Sequence, residues 1–227
     1  FDTMVHLTEE NDFMVLEGDE YLSSPIDRRP KFHLYQPNIA LISGIAWDHI
    51  NVFPTYENYV NQFEVFIQKI TNGGILVYNE EDSEVKRVAE AATNPIRKMP
   101  YVTPKYEVKE GVTLLETPEG LMPIEVFGAH NLNNLAGAKW ICQNMGVDEA
   151  DFYEAIASFK GASKRLEKIA EGKGKVAYKD FAHSPSKVAA TTKAVKEQYP
   201  NRTLVACLEL HTYSSLNAEF LKEYEGA

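Results

Sequence analysis

Two apolar stretches of the sequence, 13–16 and 39–46, are closely followed by side chains that can bind a metal ion. Those side chains are Glu17, Asp19, Glu20, Asp48 and His49. Apolar runs of this length are typical of strands buried on both faces of a parallel sheet, and ligands bind beyond the carboxyl ends of such strands. If the two strands are neighbours, the carboxylates and the imidazole converge and suit a divalent cation such as Mg²⁺ that bridges to phosphate. Solvated acids at strand ends are the alternative interpretation.

A glycine, a histidine and three asparagines cluster in the segment 128–134, immediately before or within the start of a predicted helix. Free backbone N–H groups at a helix N-terminus, together with asparagine amides, can bind an anion or read the edge of a base. The alternative is that Asn131 simply caps the helix.

Two later segments also carry groups that suit nucleotide binding. In the basic segment 160–167, Arg165 could contact a phosphate, although a solvated basic linker has the same composition. In the segment 180–186, Asp180 ends a predicted strand and could bind a ribose hydroxyl, as acids at strand ends do in nucleotide-binding folds. His183 follows it and is alternatively a loop or capping histidine.

The elements that would position these groups alternate between strand and helix. This alternation predicts an α/β fold with a mostly parallel sheet flanked by helices. The predicted strands are 13–16, a weak edge strand at 31–35, 39–46 and 75–78. The predicted helices begin after the N-cap residues Thr55 and Asp82 and end near Asn72 and Thr93.

From residue 101 the pattern changes to a β-hairpin around Pro118-Glu119-Gly120, followed by two helices. The hairpin strands are 112–117 and 121–127, and the helices are about 132–145 and 149–158. The basic, glycine-containing stretch 160–175 predicts a domain boundary, with one unit at 1–160 and another at 161–227. In the second unit we expect a strand at 176–181, a helix at 184–198, a strand at 203–208 and a helix from about 215. These elements make one βαβ unit, the start of a Rossmann-like C-terminal α/β domain.

Composition limits the classes of partner and compartment. The net charge is −10 over 227 residues, which argues against a nucleic acid or an anionic membrane bound by bulk electrostatics. No signal peptide or membrane span is evident. Cys142 and Cys207 lie in apolar contexts, and we expect both to be reduced core thiols of a cytoplasmic protein. The abrupt ends of the sequence lead us to expect a piece of a longer protein.

Five segments, taken in this order, resemble the Mur ligases, the ATP-dependent amide ligases of peptidoglycan assembly. They are 16–21 (Leu-Glu-Gly-Asp-Glu-Tyr), Trp47-Asp48-His49, 128–134, 159–165 and 180–185. The resemblance implies a three-domain enzyme that uses ATP and Mg²⁺ and activates a carboxylate as an acyl phosphate. It further implies that 1–160 is the central ATP-binding domain without its phosphate loop, and that 161–227 begins the C-terminal ligase domain.

Within the family, the segments look most like the branch that joins L-Ala-γ-D-Glu-meso-diaminopimelate to UDP-N-acetylmuramate in peptidoglycan recycling. By this resemblance Glu17 and His49 would bind Mg²⁺, and His130, Asn131 and Asn134 would surround the adenine. Arg165 and Asp180 would contact the phosphates and the ribose. Arg165 and His183 would act in catalysis.

Several features leave alternatives open. The segment 208–214 partly resembles the alanine-adding branch, which makes UDP-N-acetylmuramate–L-alanine ligation the main alternative. The chain contains no Gly-x-x-x-x-Gly-Lys-[Ser/Thr] loop, so we expect it to be inactive by itself. A folylpolyglutamate-type ligase, a non-catalytic nucleotide-binding module and a metal-dependent phosphohydrolase using Asp48 and His49 are the remaining alternatives.

Overall fold

The computed structural model describes residues 6–226. A three-stranded parallel sheet with the strand order β1-β2-β3 lies at its centre. Its strands are β1 (Ile39–Ile42), β2 (Ile75–Asn79) and β3 (Arg97–Tyr101), and they are connected by helices α1 (Tyr56–Gln68) and α2 (Ser83–Ala91). The predicted α/β fold with a parallel sheet is therefore confirmed, and β3 is a strand that the sequence patterns did not reveal.

The first two helices begin at the residues that the sequence predicted. The Thr55 hydroxyl accepts a hydrogen bond from the Asn58 N–H at 3.1 Å. The Asp82 carboxylate accepts from the N–H groups of Glu84 and Val85, both at 3.0 Å. These bonds satisfy donors that have no partner within the helix, which fixes where each helix starts.

The main hydrophobic core lies between α1, α2 and the sheet. Ile67, Leu76 and Val85 come from three different elements and are each 0% exposed. Burying a side chain of this size stabilises the fold by about 1.5–3 kcal/mol. The helices are therefore held on the sheet by their apolar faces, and the loops at the carboxyl ends of the strands are left to form a site.

A second, antiparallel sheet follows in the chain. It consists of β4 (Tyr106–Lys109), β5 (Val112–Thr117) and β6 (Gly120–Ile124), with Thr117 paired to Gly120 at the turn. This confirms the predicted hairpin and adds one strand to it. Helices α3 (Ala129–Asn144) and α4 (Glu149–Ala157) come next. Gly137 of α3 faces the first sheet, where an added Cβ would lie 3.0 Å from side-chain atoms of Leu41 and Tyr101.

The last part of the chain is a hairpin and one long helix. Strands β7 (Glu167–Gly172) and β8 (Lys175–Lys179) pair antiparallel, and α5 spans Pro185–Gln198. The buried Gln198 amide accepts from the Thr113 hydroxyl at 3.0 Å and donates to the Gly111 carbonyl at 2.6 Å. These bonds dock the C-terminal end of α5 on the second sheet.

Two predicted strands in the first forty residues are wrong. Residues 13–16 form no strand, and Val15 is 81% exposed. Residues Lys31–Leu34 form a 3₁₀ helix whose Phe32 stacks on Phe66 in the core. An apolar pattern alone does not make a strand, because the backbone groups must also find a partner strand.

The predictions for the C-terminal part are only partly correct. The strand near 176–181 and the helix from 184 to 198 exist, but β8 pairs antiparallel with β7, which lies in the stretch 160–175 that was predicted as a domain boundary and not as a strand. The strand at 203–208 is absent, and only two short 3₁₀ helices, Ser214–Leu216 and Phe220–Tyr224, follow. Without a parallel partner strand the expected βαβ unit cannot form.

Both cysteines are free thiols, but only Cys142 is partly buried. Cys142 is partly buried beside the second core, whereas Cys207 is exposed on the unpaired stretch, so its expected core position is wrong. Among residues 6–226, no helix has the length and apolar character needed to cross a membrane.

Candidate functional site

A cavity of about 790 Å³ lies where the loop after β1, the start of α3 and the start of α5 meet. Its polar lining includes the five residues predicted to contact a nucleotide, and Asp48. Those five are His130, Asn131, Asn134, Arg165 and Asp180. Segments that are far apart in the sequence are thus brought to one cavity, whose volume suits a nucleotide-sized ligand.

The loop after β1 is fixed to the end of β2, and this places Asp48 at the cavity. The Ile45 N–H donates to the second oxygen of the Asp82 carboxylate at 3.0 Å, and the Asn79 amide donates to the Ser43 carbonyl at 3.0 Å. At the tip of the loop, His49 adopts a positive φ of 54°, and its N–H donates to Asp48 Oδ1 at 2.7 Å. A non-glycine residue in this region is uncommon and typical of functional loops.

The start of α3 is built on a glycine. Gly128 is the N-cap residue with a φ of 87°, and a Cβ added there would lie 2.4 Å from the Ala194 Cβ of α5. Glycine therefore permits both the backbone turn and the close approach of α5. Asn131 is not the cap: its amide nitrogen donates to the Phe127 carbonyl at 2.9 Å.

The surroundings of His130 favour its neutral form. Burial is the main cause that lowers the pKa of this imidazole, with Arg165 adding to the effect and Asp180 opposing it. A neutral imidazole offers one donor and one acceptor. Together with the amide of Asn134 in the same lining, it can form hydrogen bonds with the edge of a base without carrying charge.

Asp180 and Arg165 differ in how firmly they are held. The Asp180 carboxylate accepts from the N–H of Leu166 at 2.7 Å and from the N–H of Ala182 at 2.6 Å, which ties two backbone segments together. The Arg165 guanidinium lies 5.9 Å from the centroid of the Phe181 ring and, within the described part of the chain, forms no salt bridge. Arg165 therefore keeps its hydrogen-bond donors available for an anionic ligand.

Glu20 lines the cavity and contacts His49, which is not part of the lining. Glu20 Oε1 lies 3.5 Å from His49 Nε2 and accepts from the Tyr59 hydroxyl at 3.1 Å. The contact with Glu20 raises the pKa of His49 above its usual value. Burial is the largest single effect on the pKa of Glu20 and acts to raise it, but the contact with His49, a backbone hydrogen bond and the Tyr59 hydroxyl together lower the pKa of Glu20. The pair therefore favours the carboxylate–imidazolium form.

The predicted metal ligands are not side by side. Glu17 is exposed and His49 faces Glu20, so the structure brings together Glu20 and His49 rather than Glu17 and His49. Within residues 6–226 no group of three or more His, Cys, Asp or Glu side chains is arranged to hold a metal ion. Mg²⁺ commonly binds through one or two carboxylates, several waters and phosphate. Glu20 lines the cavity and could supply one such carboxylate, whereas Glu17 does not line it. The assignment of Glu17 and His49 as metal ligands stays a prediction.

His183 and Lys187 approach the cavity from the α5 side. His183 Nε2 and Lys187 Nζ each lie 3.9 Å from Asp48 Oδ2. His183 was expected from the sequence near the reacting groups, but Lys187 was not. Lys187 lies in the first turn of α5, the helix that begins with Pro185. A lysine at this position is ordinary in sequence, and only the fold shows that its side chain faces Asp48.

The fold and the cavity together define an α/β protein with a nucleotide-sized site beyond the carboxyl end of a parallel strand. The sequence profile of the Mur ligase middle domain matches residues 2–142, which is more than half of the chain. The chain belongs to the Mur ligase family.

Two curated relatives illustrate the range of named activities. The UDP-N-acetylmuramate--L-alanine ligase of Caldicellulosiruptor bescii is 28% identical over 217 residues, covering 90% of this chain and 46% of that protein. The UDP-N-acetylmuramate--L-alanyl-gamma-D-glutamyl-meso-2,6-diaminoheptandioate ligase of Escherichia coli is 30% identical over 209 residues, covering 86% and 44%. The chain spans about half the length of the curated relatives it matches.

Solved structures share the fold at low sequence identity. A murein peptide ligase from Psychrobacter arcticus aligns with a TM-score of 0.58 at 20% identity, covering 87% of this chain and 44% of that one. The UDP-N-acetylmuramate-alanine ligase from Thermotoga maritima aligns with a TM-score of 0.57 at 17% identity, covering 77% and 44%. These likenesses extend the family assignment to the fold.

Proposed function

We propose that this chain is part of a cytoplasmic, ATP- and Mg²⁺-dependent amide ligase that acts on UDP-N-acetylmuramate. The observation that carries the proposal is the shared cavity, in which His130, Asn134, Arg165 and Asp180 meet the Asp48 loop. Residues 1–160 then form most of a central ATP-binding domain, and 161–227 begin the C-terminal ligase domain.

In this proposal the nucleotide lies along the cavity from α3 towards Asp48. His130, Asn131 and Asn134 surround the adenine, where neutral donors and acceptors suit a base. Asp180 receives the ribose, and the free guanidinium of Arg165 contacts phosphate oxygens. Because the chain has no phosphate loop, Arg165 cannot hold the phosphates alone, and activity requires the remainder of the protein.

The carboxyl-activating chemistry would take place at the Glu20–Asp48 side. Mg²⁺, when bound, would neutralise charge on the phosphates and be held there by the predicted ligands Glu17 and His49 or by Glu20. The protein's own contribution is to orient the reacting groups and to exclude water. His183 is proposed to lie close to the reacting phosphate, with Arg165 neutralising charge that develops in the transition state.

For the acceptor we propose the tripeptide L-Ala-γ-D-Glu-meso-diaminopimelate, which the sequence segments favour and the Escherichia coli relative uses by name. A second candidate acceptor is L-alanine, because several relatives at 25–29% identity are named for it. Both acceptors present the same L-alanyl amino group, so the cavity by itself accommodates either proposal.

The test is phosphate release by the full-length protein with ATP-Mg²⁺ and UDP-N-acetylmuramate, comparing the two acceptors. Turnover with the tripeptide alone supports the recycling activity, and turnover with L-alanine alone transfers the protein to the biosynthetic branch. No turnover with either acceptor contradicts the proposal and favours a non-catalytic nucleotide-binding module.

A variant pair connects this assay to the cavity. We expect Arg165→Met to lower kcat by about 10²- to 10³-fold, the usual effect of removing one group that stabilises transition-state charge. Arg97→Met, an exposed arginine on β3 outside the cavity lining, is the matched control and should keep wild-type kcat.

A further inference from the structure

Asp48 carries a buried oxygen with an unmet hydrogen bond. The residue is 7% exposed, and in the described part of the chain its Oδ2 atom has no hydrogen-bond partner. Its other oxygen already accepts from the His49 N–H. Leaving an ionised oxygen buried without a donor is unfavourable, so such an atom in a cavity lining marks a place where a ligand can supply the donor.

Two side chains face this oxygen without reaching it. Lys187 Nζ and His183 Nε2 each lie 3.9 Å from Asp48 Oδ2, which is too long for a hydrogen bond. His183 is held in this orientation because its Nδ1 atom lies 2.8 Å from the Phe181 carbonyl oxygen. Asp48 comes from the loop after β1, and the other two come from the start of α5.

Lys187 keeps hydrogen-bonding capacity for a ligand. Its side chain is 51% exposed and it lines the same cavity as Asp48. In the same turn, the side chain of the N-cap residue Ser184 forms no capping hydrogen bond with α5. The start of α5 therefore offers a cation together with uncapped N–H donors, both of which suit an oxygen with negative charge.

The pairing of an acid with a base excludes the simpler ligands. An isolated anion at Oδ2 would be repelled by the Asp48 carboxylate, and a ligand that carries only a cation would leave the Lys187 ammonium without a partner. A ligand that carries an amino group next to a carbonyl or carboxylate oxygen satisfies both side chains at once. The free α-amino end of an amino acid or a peptide has this chemistry.

We propose that Asp48 and Lys187 form the binding subsite for the α-amino end of the acceptor substrate. The acceptor amino group donates to Asp48 Oδ2, and the adjacent carbonyl or carboxylate oxygen accepts from Lys187 Nζ. This inference rests on the proposed ligase function and adds the two positions that select an α-amino acceptor. Asp48 reaches the subsite from the loop after β1 and Lys187 from α5, so the predicted units 1–160 and 161–227 both contribute to acceptor recognition.

Steady-state kinetics of the full-length protein tests this subsite, with the acceptor varied at saturating ATP and UDP-N-acetylmuramate. Losing one charge-assisted hydrogen bond should raise the acceptor KM about 10- to 100-fold in Asp48→Asn and in Lys187→Met. The KM values for ATP and for UDP-N-acetylmuramate should stay within about twofold of wild type. Lys187→Arg, which keeps the charge, should recover most of the acceptor affinity.

A matched control and an acceptor analogue separate recognition from folding. Lys193→Met changes an exposed lysine on the same helix, outside the cavity lining, and should leave every KM unchanged. A des-amino acceptor, with hydroxyl in place of the amino group, should compete more weakly than the acceptor in wild type. Asp48→Asn should lose this preference for the amino group over the hydroxyl group, and Lys187→Met should retain it.

Failure of the subsite and failure of the proposed function give different results in these assays. An unchanged acceptor KM in Lys187→Met and Asp48→Asn, or equal changes in all three KM values, would overturn the subsite while leaving the ligase proposal standing. A wild-type protein that consumes ATP with neither L-alanine nor the tripeptide would overturn the proposed function itself. With a free amino acid as acceptor, Lys187→Met should have the larger effect, because Lys187 then pairs with a full carboxylate.

Discussion

The stretches 39–51 and 13–21 have similar sequence patterns but adopt different structures. Each has an apolar run followed by at least one acidic residue, but only the first contains a strand, β1, which pairs with β2. Ile42 of β1 is 4% exposed, whereas Leu16 of the other run is 52% exposed. An apolar pattern is therefore not sufficient for a buried strand, because a partner strand decides whether the strand forms.

The second stretch still delivers a site residue, by a different means. Asp19 accepts from the Tyr21 N–H at 2.8 Å and pairs with Lys31, and these contacts fold the chain back on itself. Glu20 then reaches Tyr59 and His49. Polar contacts with neighbouring segments therefore position Glu20, whereas the parallel sheet positions the loop after β1.

The largest expected effect tests the comparison with one substitution in each region. Leu76→Ala removes a side chain that is 0% exposed and should lower the free energy of unfolding by about 2–5 kcal/mol. Leu16→Ala makes the same chemical change at an exposed position and should cost less than about 0.5 kcal/mol. Urea denaturation of both variants measures the difference. Similar losses in the two variants would show that residues 13–16 are packed in solution and would contradict the comparison.

The sequence predicted most of what depends on local signals and missed what depends on partners. Thr55 and Asp82 were recognised as caps because a cap acts within three residues of itself. The pairing of β8 with β7 and the exposure of residues 203–208 depend on which strands are available, and a periodic pattern carries no such information. At the site, the resemblance indicated residues that line one cavity. Lys187 was assigned no role, and Glu20 was named only as one of several acids that could bind a metal ion, because the contacts of Lys187 with Asp48 and of Glu20 with His49 arise across the fold.

A second prediction concerns the tight contact between α3 and α5. Gly128→Ala introduces a Cβ that would lie 2.4 Å from the Ala194 Cβ, at a φ of 87°. We expect a loss of about 2–4 kcal/mol in the free energy of unfolding, because strain and steric overlap add. Gly73→Ala separates the two causes, since its φ is 80° but nothing lies within 4 Å of the added Cβ.

Gly73→Ala should therefore cost only about 1–2 kcal/mol from the backbone conformation. Thermal unfolding of both variants provides the comparison. Equal losses of unfolding free energy in Gly128→Ala and Gly73→Ala would mean that α5 does not contact α3 closely in solution. That result would contradict one continuous cavity.

A third prediction tests the docking of α5 on the second sheet. Thr113→Val keeps the shape of a side chain that is 0% exposed but removes its hydrogen bond to Gln198. The loss should be about 1–2 kcal/mol, because the Gln198 oxygen stays buried without a donor. The control is Thr93→Val, which makes the same change at an exposed position and should leave the free energy of unfolding unchanged. Thr103 is unsuitable as a control because its hydroxyl donates a hydrogen bond to Glu81. A neutral Thr113→Val would contradict the docking.

The smallest expected effect is a pH dependence at the Glu20–His49 pair. The pKa of His49 is raised above 6.5, so its contribution to stability is complete below pH 6.5 and is lost as pH rises through the folded pKa. The pKa of Glu20 is lowered below 4.5, so its contribution is present above pH 4.5 and is lost as pH falls through the folded pKa. The pair is therefore most stabilising between those two values.

Because both side chains are partly exposed, the contribution should not exceed about 1 kcal/mol. Unfolding free energies of wild type and His49→Gln, measured at about pH 6 and about pH 8.5, should differ more at the lower pH. A difference that is the same at both pH values would show that Glu20 and His49 do not pair in solution.

We propose that residues from the predicted units 1–160 and 161–227 form one nucleotide site. Hydrogen exchange of the full-length protein, with and without a non-hydrolysable ATP analogue and Mg²⁺, tests this proposal. Added protection is expected both at the start of α3, residues 128–134, and in the segment 165–187. Protection confined to one of these segments, or to neither, would contradict a shared site.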